Sequence, residues 1–283
     1  MNKNLYKILY DGFEPSMNKI CIEIPDKRKI SFKDLDKISA QFASFLKNIG
    51  LKKGDRMICQ IDKSLAAIGL YLGCLRYGII YTPLNTSYKT DEVEYFIENI
   101  EPKLFIGSPN SSDTNKEICS KLSVPFFETI GADDDDSFFK KILLMKPSYI
   151  FEDCNGYDIA AILFTSGTTG KSKGAMITHD NLSSNAIALK EIWGFTDRDT
   201  LLHALPIFHV HGLFVALNIA LLSASKIIFI EKFNIEDVIE NLKNSSVMMG
   251  VPTYYNRLVN DENFKGVSYE NMRLFISGSA PLT

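Results

Sequence analysis

The feature that most constrains the fold is an alternation of short apolar runs with segments of helical periodicity. The runs at 20–24 and 56–61 are typical of buried strands. Between them, Ser31 and Asp34 form the capping pattern of a helix start, and apolar residues then recur at helical spacing until Gly50. This alternation favours an α/β fold of layered βαβ units with largely parallel strands.

The same pattern continues and predicts two α/β subdomains. Further elements are expected as helices over 63–77 and from Thr90, and as strands at 103–106 and 272–276. The stretch 129–157 is the least regular, and an apolar run at 159–164 follows it. We therefore predict a first subdomain over 1–150 and a second over 151–283. The closing Ser-Gly-Ser-Ala-Pro-Leu-Thr is typical of a loop, so we expect the second subdomain to be incomplete.

Composition and charge exclude several classes of protein. The chain is 46% apolar and 23% charged with a net charge of -3, which is typical of a globular protein and gives no basic field for nucleic acid. The most apolar stretch, 213–230, is interrupted by polar residues and predicts a buried helix and a strand, not a membrane span. No targeting signal is recognisable, and the five scattered cysteines predict structural thiols in a cytoplasmic protein.

A glycine-rich segment with the composition of an anion-binding loop follows the apolar run at 159–164. It combines three glycines, two lysines, the four hydroxyl donors Thr165, Ser166, Thr168 and Thr169, and one further serine: Thr165, Ser166, Gly167, Thr168, Thr169, Gly170, Lys171, Ser172, Lys173 and Gly174. A P-loop requires glycine where Thr165 stands, so the segment is not a Walker A motif. A flexible polar hairpin is an equally good interpretation of the composition alone.

Two other polar groups have a structural and a functional interpretation. The run Asp133–Asp136 could bind a cation, but a solvated loop is the expected structure. His209 and His211 have the spacing of metal ligands, but no third ligand is close in sequence, so a packed histidine pair is expected and no metal site is predicted.

The glycine-rich segment resembles the signature loop of the adenylate-forming superfamily, which includes the acyl-CoA synthetases. Three further segments match that family in order: Leu51–Arg56, Thr82–Tyr88 and Gly174–Leu182. The family usually has proline where this chain has Ser172, which leaves the loop less stiff. A segment with His-Val-His at its centre, 202–214, is especially similar to malonyl-CoA and methylmalonyl-CoA synthetases.

The resemblance implies residue roles. ATP-binding residues would be Thr165, Ser166, Gly167, Thr168, Thr169, Gly170, Lys171, Lys173, Gly174, Ser279 and Ala280. Substrate-binding residues would be His209, Val210, Arg257, Ser277 and Gly278. The catalytic residues would be Thr165, Lys171 and His209. A buried Arg257 would pair with the second carboxylate of malonate, whereas a lone helical arginine is more commonly a surface ion-pair residue.

The implied reaction has two steps and three cofactors or co-substrates: ATP, Mg²⁺ and coenzyme A. The carboxylate attacks the α-phosphate to give an acyl-adenylate, and coenzyme A then displaces AMP. By resemblance, the family's Mg²⁺-binding acid and its lysine-bearing C-terminal lid domain fall outside these residues. We therefore expect this chain alone to be inactive. The alternatives are a ligase for a fatty, aryl or amino acid, and a non-catalytic or split-enzyme nucleotide-binding fragment whose C-terminal half is on another chain.

Overall fold

The chain folds into two compact units, each built on one six-stranded β-sheet. Unit 1 comprises Met1–Ile8 and Asp36–Ser183, and unit 2 comprises Leu9–Leu35 and Ser184–Thr283. The computed structural model describes three stretches of the chain, namely residues 2–132, 136–165 and 172–281.

The described stretches contain the following strands and helices. The strands are β1 (Ile20–Ile24), β2 (Arg28–Ser31), β3 (Arg56–Gln60), β4 (Ile80–Pro83), β5 (Leu104–Gly107), β6 (Phe126–Thr129), β7 (Ile159–Thr165), β8 (Lys173–Thr178), β9 (Thr200–His203), β10 (Lys226–Phe229), β11 (Val247–Gly250) and β12 (Leu274–Ser277). The α-helices are α1 (Leu5–Phe13), α2 (Phe32–Asn48), α3 (Leu65–Tyr77), α4 (Thr90–Ile100), α5 (Ser112–Lys121), α6 (Ser137–Leu143), α7 (His179–Ile192), α8 (Asn218–Leu222), α9 (Ile235–Leu242) and α10 (Pro252–Val259). A π-helix, His211–Leu217, continues directly into α8.

The sheet of unit 1 has the strand order β6-β5-β3-β4-β7-β8. All neighbours are parallel except β7 and β8, which form an antiparallel pair. Strands β4 and β5 are buried at every position, and β5 lies where we predicted a strand at 103–106. Helix α4 packs on this sheet through Phe96 and Ile97, which are buried with Ile58 and Phe105 in one apolar cluster.

This arrangement differs from the boundary that we predicted at residue 150. Strands β7 and β8 belong to the sheet of unit 1, because Tyr81 on β4 pairs with Ala161 on β7. An apolar strand with a buried centre must find backbone partners on both edges, and β4 supplies one of them. The glycine-rich segment therefore connects two strands of unit 1, whereas we predicted that it lies in the second subdomain.

The sheet of unit 2 has the order β12-β11-β9-β10-β1-β2. Its first five strands are parallel, and β2 returns antiparallel to β1 as the arm of a hairpin. One apolar cluster packs α9 and α10 against this sheet through Val238, Leu242 and Leu258. The run 213–230 forms the buried helix and strand that we predicted, as π-helix, α8 and β10. Among the described residues, no helix is both long and apolar enough to cross a bilayer.

The sequence pattern predicted correctly where helix α2 begins and ends. The Ser31 hydroxyl accepts a hydrogen bond from the Asp34 N–H at 3.1 Å, and the Asp34 carboxylate accepts one from the Ser31 N–H at 3.1 Å. At the other end, the Leu51 N–H donates to the Leu46 carbonyl at 3.1 Å while Gly50 has a φ of +82°. That left-handed conformation favours glycine, so the predicted start and end of α2 are both confirmed.

The cysteines and the acidic run have structural roles where the structure describes them. All five cysteines are buried free thiols, and burial raises the pKa of Cys59 and of Cys119 to about 12. They are therefore protonated and unreactive at neutral pH, as predicted for structural thiols. Of the acidic run, Asp136 caps α6 by accepting a hydrogen bond from the Phe139 N–H at 2.8 Å. Residues 133–135 lie outside the described residues.

Unit 1 contains a buried ion pair. Arg76 on α3 is fully buried, and its Nη2 forms an ion pair with Oδ1 of Asp36, which is 4% exposed. The Tyr6 hydroxyl donates to the same Asp36 oxygen at 2.9 Å, and Arg76 Nε donates to Ser39 Oγ at 3.2 Å. The guanidinium also lies over the rings of Tyr6 and Phe151, at 4.3 and 4.8 Å. The pair thus links three segments of unit 1 that are far apart in the sequence, at Tyr6, Asp36 and Arg76.

Candidate active site

The carboxyl edge of the parallel strands of unit 2 is the natural place for a ligand. The chain leaves β9 towards β10, on one side, and leaves β11 towards β12, on the other side. In open α/β sheets, connections that diverge in this way leave a crevice at the carboxyl ends of the two strands. The segments that follow β9 and β11 therefore border the crevice, and the segment after β12 lies one strand further along.

The segment after β9 is fixed to its own strand. His203, buried at the end of β9, has its Nε2 2.9 Å from the carbonyl oxygen of Gly212. A Cβ added to Gly212 would lie 2.1 Å from the Pro206 carbonyl oxygen, so only glycine fits there. The π-helix begins at His211, within this tight turn. Such helices occur frequently at functional sites, which agrees with the predicted importance of the His-Val-His segment.

His209 and Val210 are exposed at this edge, whereas His211 is buried. The His211 N–H donates to Nδ1 of His209 at 3.4 Å, so Nε2 of His209 is the nitrogen left for a ligand. Burial lowers the pKa of His211, and the neighbouring His209 lowers that pKa further. A neutral His211 imidazole therefore lies beneath an exposed His209.

The segment after β12 packs against His211. The Gly278 N–H donates to the Gly250 carbonyl at 3.1 Å, and a Cβ on Gly278 would lie 3.0 Å from Cε1 of His211. Ser279 has a φ of +68°, and its Oγ lies 3.4 Å from Nδ1 of His211. The buried Ser277 Oγ has no hydrogen-bond partner among the described residues. The structure thus joins Gly278 and Ser279 to His209 through His211, for which we predicted no site role.

Tyr255 is a second residue that sequence reasoning missed. Its hydroxyl lies 2.6 Å from the Ile276 carbonyl oxygen and 3.2 Å from that of Met248. Burial is the main cause that raises the pKa of this phenol well above its usual range. The hydroxyl therefore stays protonated and holds β11 to β12 just before the Ser277–Ala280 segment. A tyrosine in the first turns of a helix that follows a strand is a weak signal, because most such residues only pack.

Arg257 is not brought into this cluster. It lies on α10, is exposed, and has its guanidinium 5.0 Å from the ring centroid of Phe233. The Phe233 ring stacks in turn on Tyr254 at 3.8 Å. The expectation of a buried Arg257 is wrong, because α10 presents this position to solvent over an aromatic surface. Ser279 and Ala280 are likewise exposed, at the end of the described chain.

In unit 1, the predicted phosphate-binding residues flank a hairpin. Thr165 ends β7 and pairs with Lys173, the first residue of β8. Lys173 and Gly174 are exposed, and a Cβ on Gly174 would approach Ile162 Cγ2 to 3.1 Å. The remaining predicted residues lie outside the described residues, namely Ser166, Gly167, Thr168, Thr169, Gly170 and Lys171. The antiparallel pair of β7 and β8 fits the interpretation of this segment as a polar hairpin. It fits an anion-binding loop equally well, because such a loop can also connect two antiparallel strands.

The sequence profile of the AMP-binding enzyme family matches residues 13–283. The chain belongs to the AMP-binding enzyme family. This membership confirms the resemblance of the glycine-rich segment to the adenylate-forming superfamily. The described residues contain no group of three or more His, Cys, Asp or Glu side chains that could hold a metal ion.

Solved structures and curated relatives agree with the family. A crystal structure of ATP-bound MatB from Rhodopseudomonas palustris superposes with a TM-score of 0.93 at 42% identity, over 100% of this chain and 56% of that one. The malonate–CoA ligase of Arabidopsis thaliana is 29% identical over 90% of this chain and 45% of its own length. The long-chain-fatty-acid–CoA ligase of Escherichia coli O157:H7 is 25% identical over 100% of this chain and 57% of its own. The chain thus spans about half the length of these relatives.

Proposed function

We propose that this chain is the N-terminal part of an ATP-dependent acyl-CoA synthetase that acts on malonate or methylmalonate. The observation that carries the proposal is the His209–His211–Gly278–Ser279 cluster at the carboxyl edge of unit 2, in a chain of the AMP-binding enzyme family. Similarity to a malonate–CoA ligase supports the choice of substrate, and similarity to ATP-bound MatB supports the use of ATP.

The chemical difficulty is to bring a carboxylate anion to the phosphate chain of ATP. Donors that are already in position lower that barrier without reorganising during the reaction. In unit 2, we assign His209 Nε2 to the substrate carboxylate and the α-phosphate, and the Val210 side chain to the acyl group. The Gly278 and Ser279 backbone, held by the buried His211, would lie against the acyl-adenylate.

In unit 1, we assign the anionic end of the nucleotide to the glycine-rich hairpin. Thr165 and Lys173 are register partners of β7 and β8, so a threonine and a lysine lie opposite each other in the ladder. Lys171 would complete the set, together with the hydroxyls of Ser166, Thr168 and Thr169 and the glycines Gly167 and Gly170. Coenzyme A is the expected acceptor in the second step. Mg²⁺ would offset phosphate charge, but the described residues offer no cluster of ligands for it, and no step is assigned to it.

The dicarboxylate preference is assigned to Arg257. A guanidinium can hold the second carboxylate of malonate through two parallel hydrogen bonds. Its stacking on Phe233 limits the orientations that it adopts. Because Arg257 is exposed, the pair would be screened by water, and its expected contribution is roughly 0.2–1 kcal/mol, far less than that of a buried pair.

The function is tested by carboxylate-dependent exchange between ATP and radiolabelled pyrophosphate. The assay uses the complete natural protein and, in parallel, this 283-residue chain, with malonate, methylmalonate, acetate, propionate, a long-chain fatty acid, an aryl acid and an amino acid. We expect the complete protein to show its highest kcat/KM with malonate or methylmalonate. A clear preference for any of the other acids would mean that the substrate is that acid and not malonate or methylmalonate. No exchange with any acid would overturn the proposed activity.

A further inference from the structure

A long-range hydrogen bond holds one end of the glycine-rich hairpin in unit 1. The hydroxyl of Tyr95, on α4, donates to the backbone carbonyl of Ser172 at 2.8 Å. Ser172 directly precedes β8, and 77 residues separate it from Tyr95. The bond is therefore a tertiary contact between a helix and the point where the hairpin re-enters the sheet.

The tyrosine ring is itself held in place. It packs edge-on against Phe96 at 5.8 Å and against Phe164 at 6.4 Å between ring centroids. Phe164 lies on β7, immediately before Thr165. Tyr95 thus contacts one stem of the hairpin with its ring and the other stem with its hydroxyl.

Fixing the Ser172 carbonyl also fixes the direction of the next backbone group. That carbonyl shares a peptide plane with the Lys173 N–H, and the plane is rigid. Serine at 172 leaves the backbone free to rotate about φ, which a proline would restrict. The hydrogen bond from Tyr95 to the Ser172 carbonyl limits the same backbone freedom through a tertiary contact.

We propose that Tyr95 is a positioning residue for adenylation, which orients Lys173 by holding the Ser172 carbonyl. The proposal rests on the proposed function, because it assigns Lys173 to the anionic end of ATP. In this role Tyr95 needs no contact with ATP or with the carboxylate. It acts through the backbone of Ser172.

The first test measures how well the backbone of residues 172–175 is ordered, and it does not require the protein to be enzymatically active. Tyr95→Phe removes the hydroxyl and keeps the ring, and Tyr88→Phe is a matched control because Tyr88 packs on the same Phe96 ring. Amide hydrogen exchange over residues 172–175 of the 283-residue chain should be about 2- to 13-fold faster in Tyr95→Phe, which corresponds to one hydrogen bond of roughly 0.5–1.5 kcal/mol. Tyr88→Phe should match the parent. Equal exchange in all three proteins would overturn the proposal.

The second test measures the two half-reactions of the complete protein separately. Tyr95→Phe should slow pyrophosphate exchange by about 2- to 13-fold and leave thioester formation from synthetic acyl-adenylate unchanged. Equal losses in both half-reactions, or unchanged exchange, would overturn the positioning role. Ser172→Ala keeps the carbonyl and should match the parent. If the parent itself adenylates no acid, the proposed function fails, and hydrogen exchange still decides whether Tyr95 orders the segment.

Discussion

Replacing Arg76 by methionine should destabilise unit 1 by about 3–5 kcal/mol, because the Asp36 carboxylate would stay buried without its counter-charge. Asp36 is 4% exposed, and the Tyr6 hydroxyl would remain as its neutral donor. Methionine keeps the apolar stem that packs beside Tyr6 and Phe151, so little of the loss comes from an empty cavity. The magnitude is therefore that of an unpaired buried charge.

The assay is urea unfolding of the 283-residue chain followed by circular dichroism. Lys121→Met is the control, since Lys121 pairs with Glu94 at the surface of the same unit and should cost less than about 1 kcal/mol. The double variant Arg76→Met with Asp36→Asn should be more stable than Arg76→Met alone, because no charge then remains buried. The reasoning is refuted if Arg76→Met costs no more than Lys121→Met, or if the double variant is the less stable one.

Three further outcomes are expected. His179 accepts a hydrogen bond from the Leu5 N–H at 3.0 Å, and burial is the main cause that lowers its pKa to about 4, so the folded state binds fewer protons than the unfolded state. The free energy of unfolding should therefore fall by up to about 3 kcal/mol as the pH drops from 6.5 to 4. The His179→Asn variant keeps a hydrogen-bond acceptor and should lack this dependence when urea unfolding is measured across the same pH range. Gly212→Ala should lower the free energy of unfolding in urea by about 1–3 kcal/mol, because the new Cβ meets the Pro206 carbonyl. Gly266 has open space around it, so Gly266→Ala should lower that free energy by less than about 1 kcal/mol. Equal losses in the two variants would contradict the tight turn at Gly212. Arg257→Ala should lower the malonate-to-propionate ratio of kcat/KM by roughly 1.4- to 5-fold, and an unchanged ratio would assign Arg257 to packing alone.

Local signals predicted most of the elements but not their partners. The capping pair of α2 and the apolar runs are encoded within a few residues, so those elements could be predicted directly. The sheet to which 159–165 belongs depends on pairing with β4, about 80 residues earlier, and no local pattern encodes that choice. Helix α1 was missed although Leu5, Leu9 and Phe13 are buried at helical spacing.

Sequence motifs predicted which residues form the candidate site, and the burial of His211 and the exposure of Arg257 corrected that prediction. His209, Val210 and Gly278 could be named from the sequence, because the family pattern includes them. The role of His211 could not, since its burial arises only when the segment after β12 packs on its ring. The exposure of Arg257 follows from how α10 sits on β11, which a residue pattern alone does not fix.

The most direct test of adenylation follows one oxygen atom through the complete protein. If a malonate oxygen attacks the α-phosphorus, that oxygen leaves with AMP when coenzyme A attacks the carbonyl. With malonate labelled with ¹⁸O in both carboxylates, mass spectrometry should therefore find AMP that carries one ¹⁸O atom. Label in inorganic phosphate with unlabelled nucleotide would indicate an acyl-phosphate route and would contradict the account.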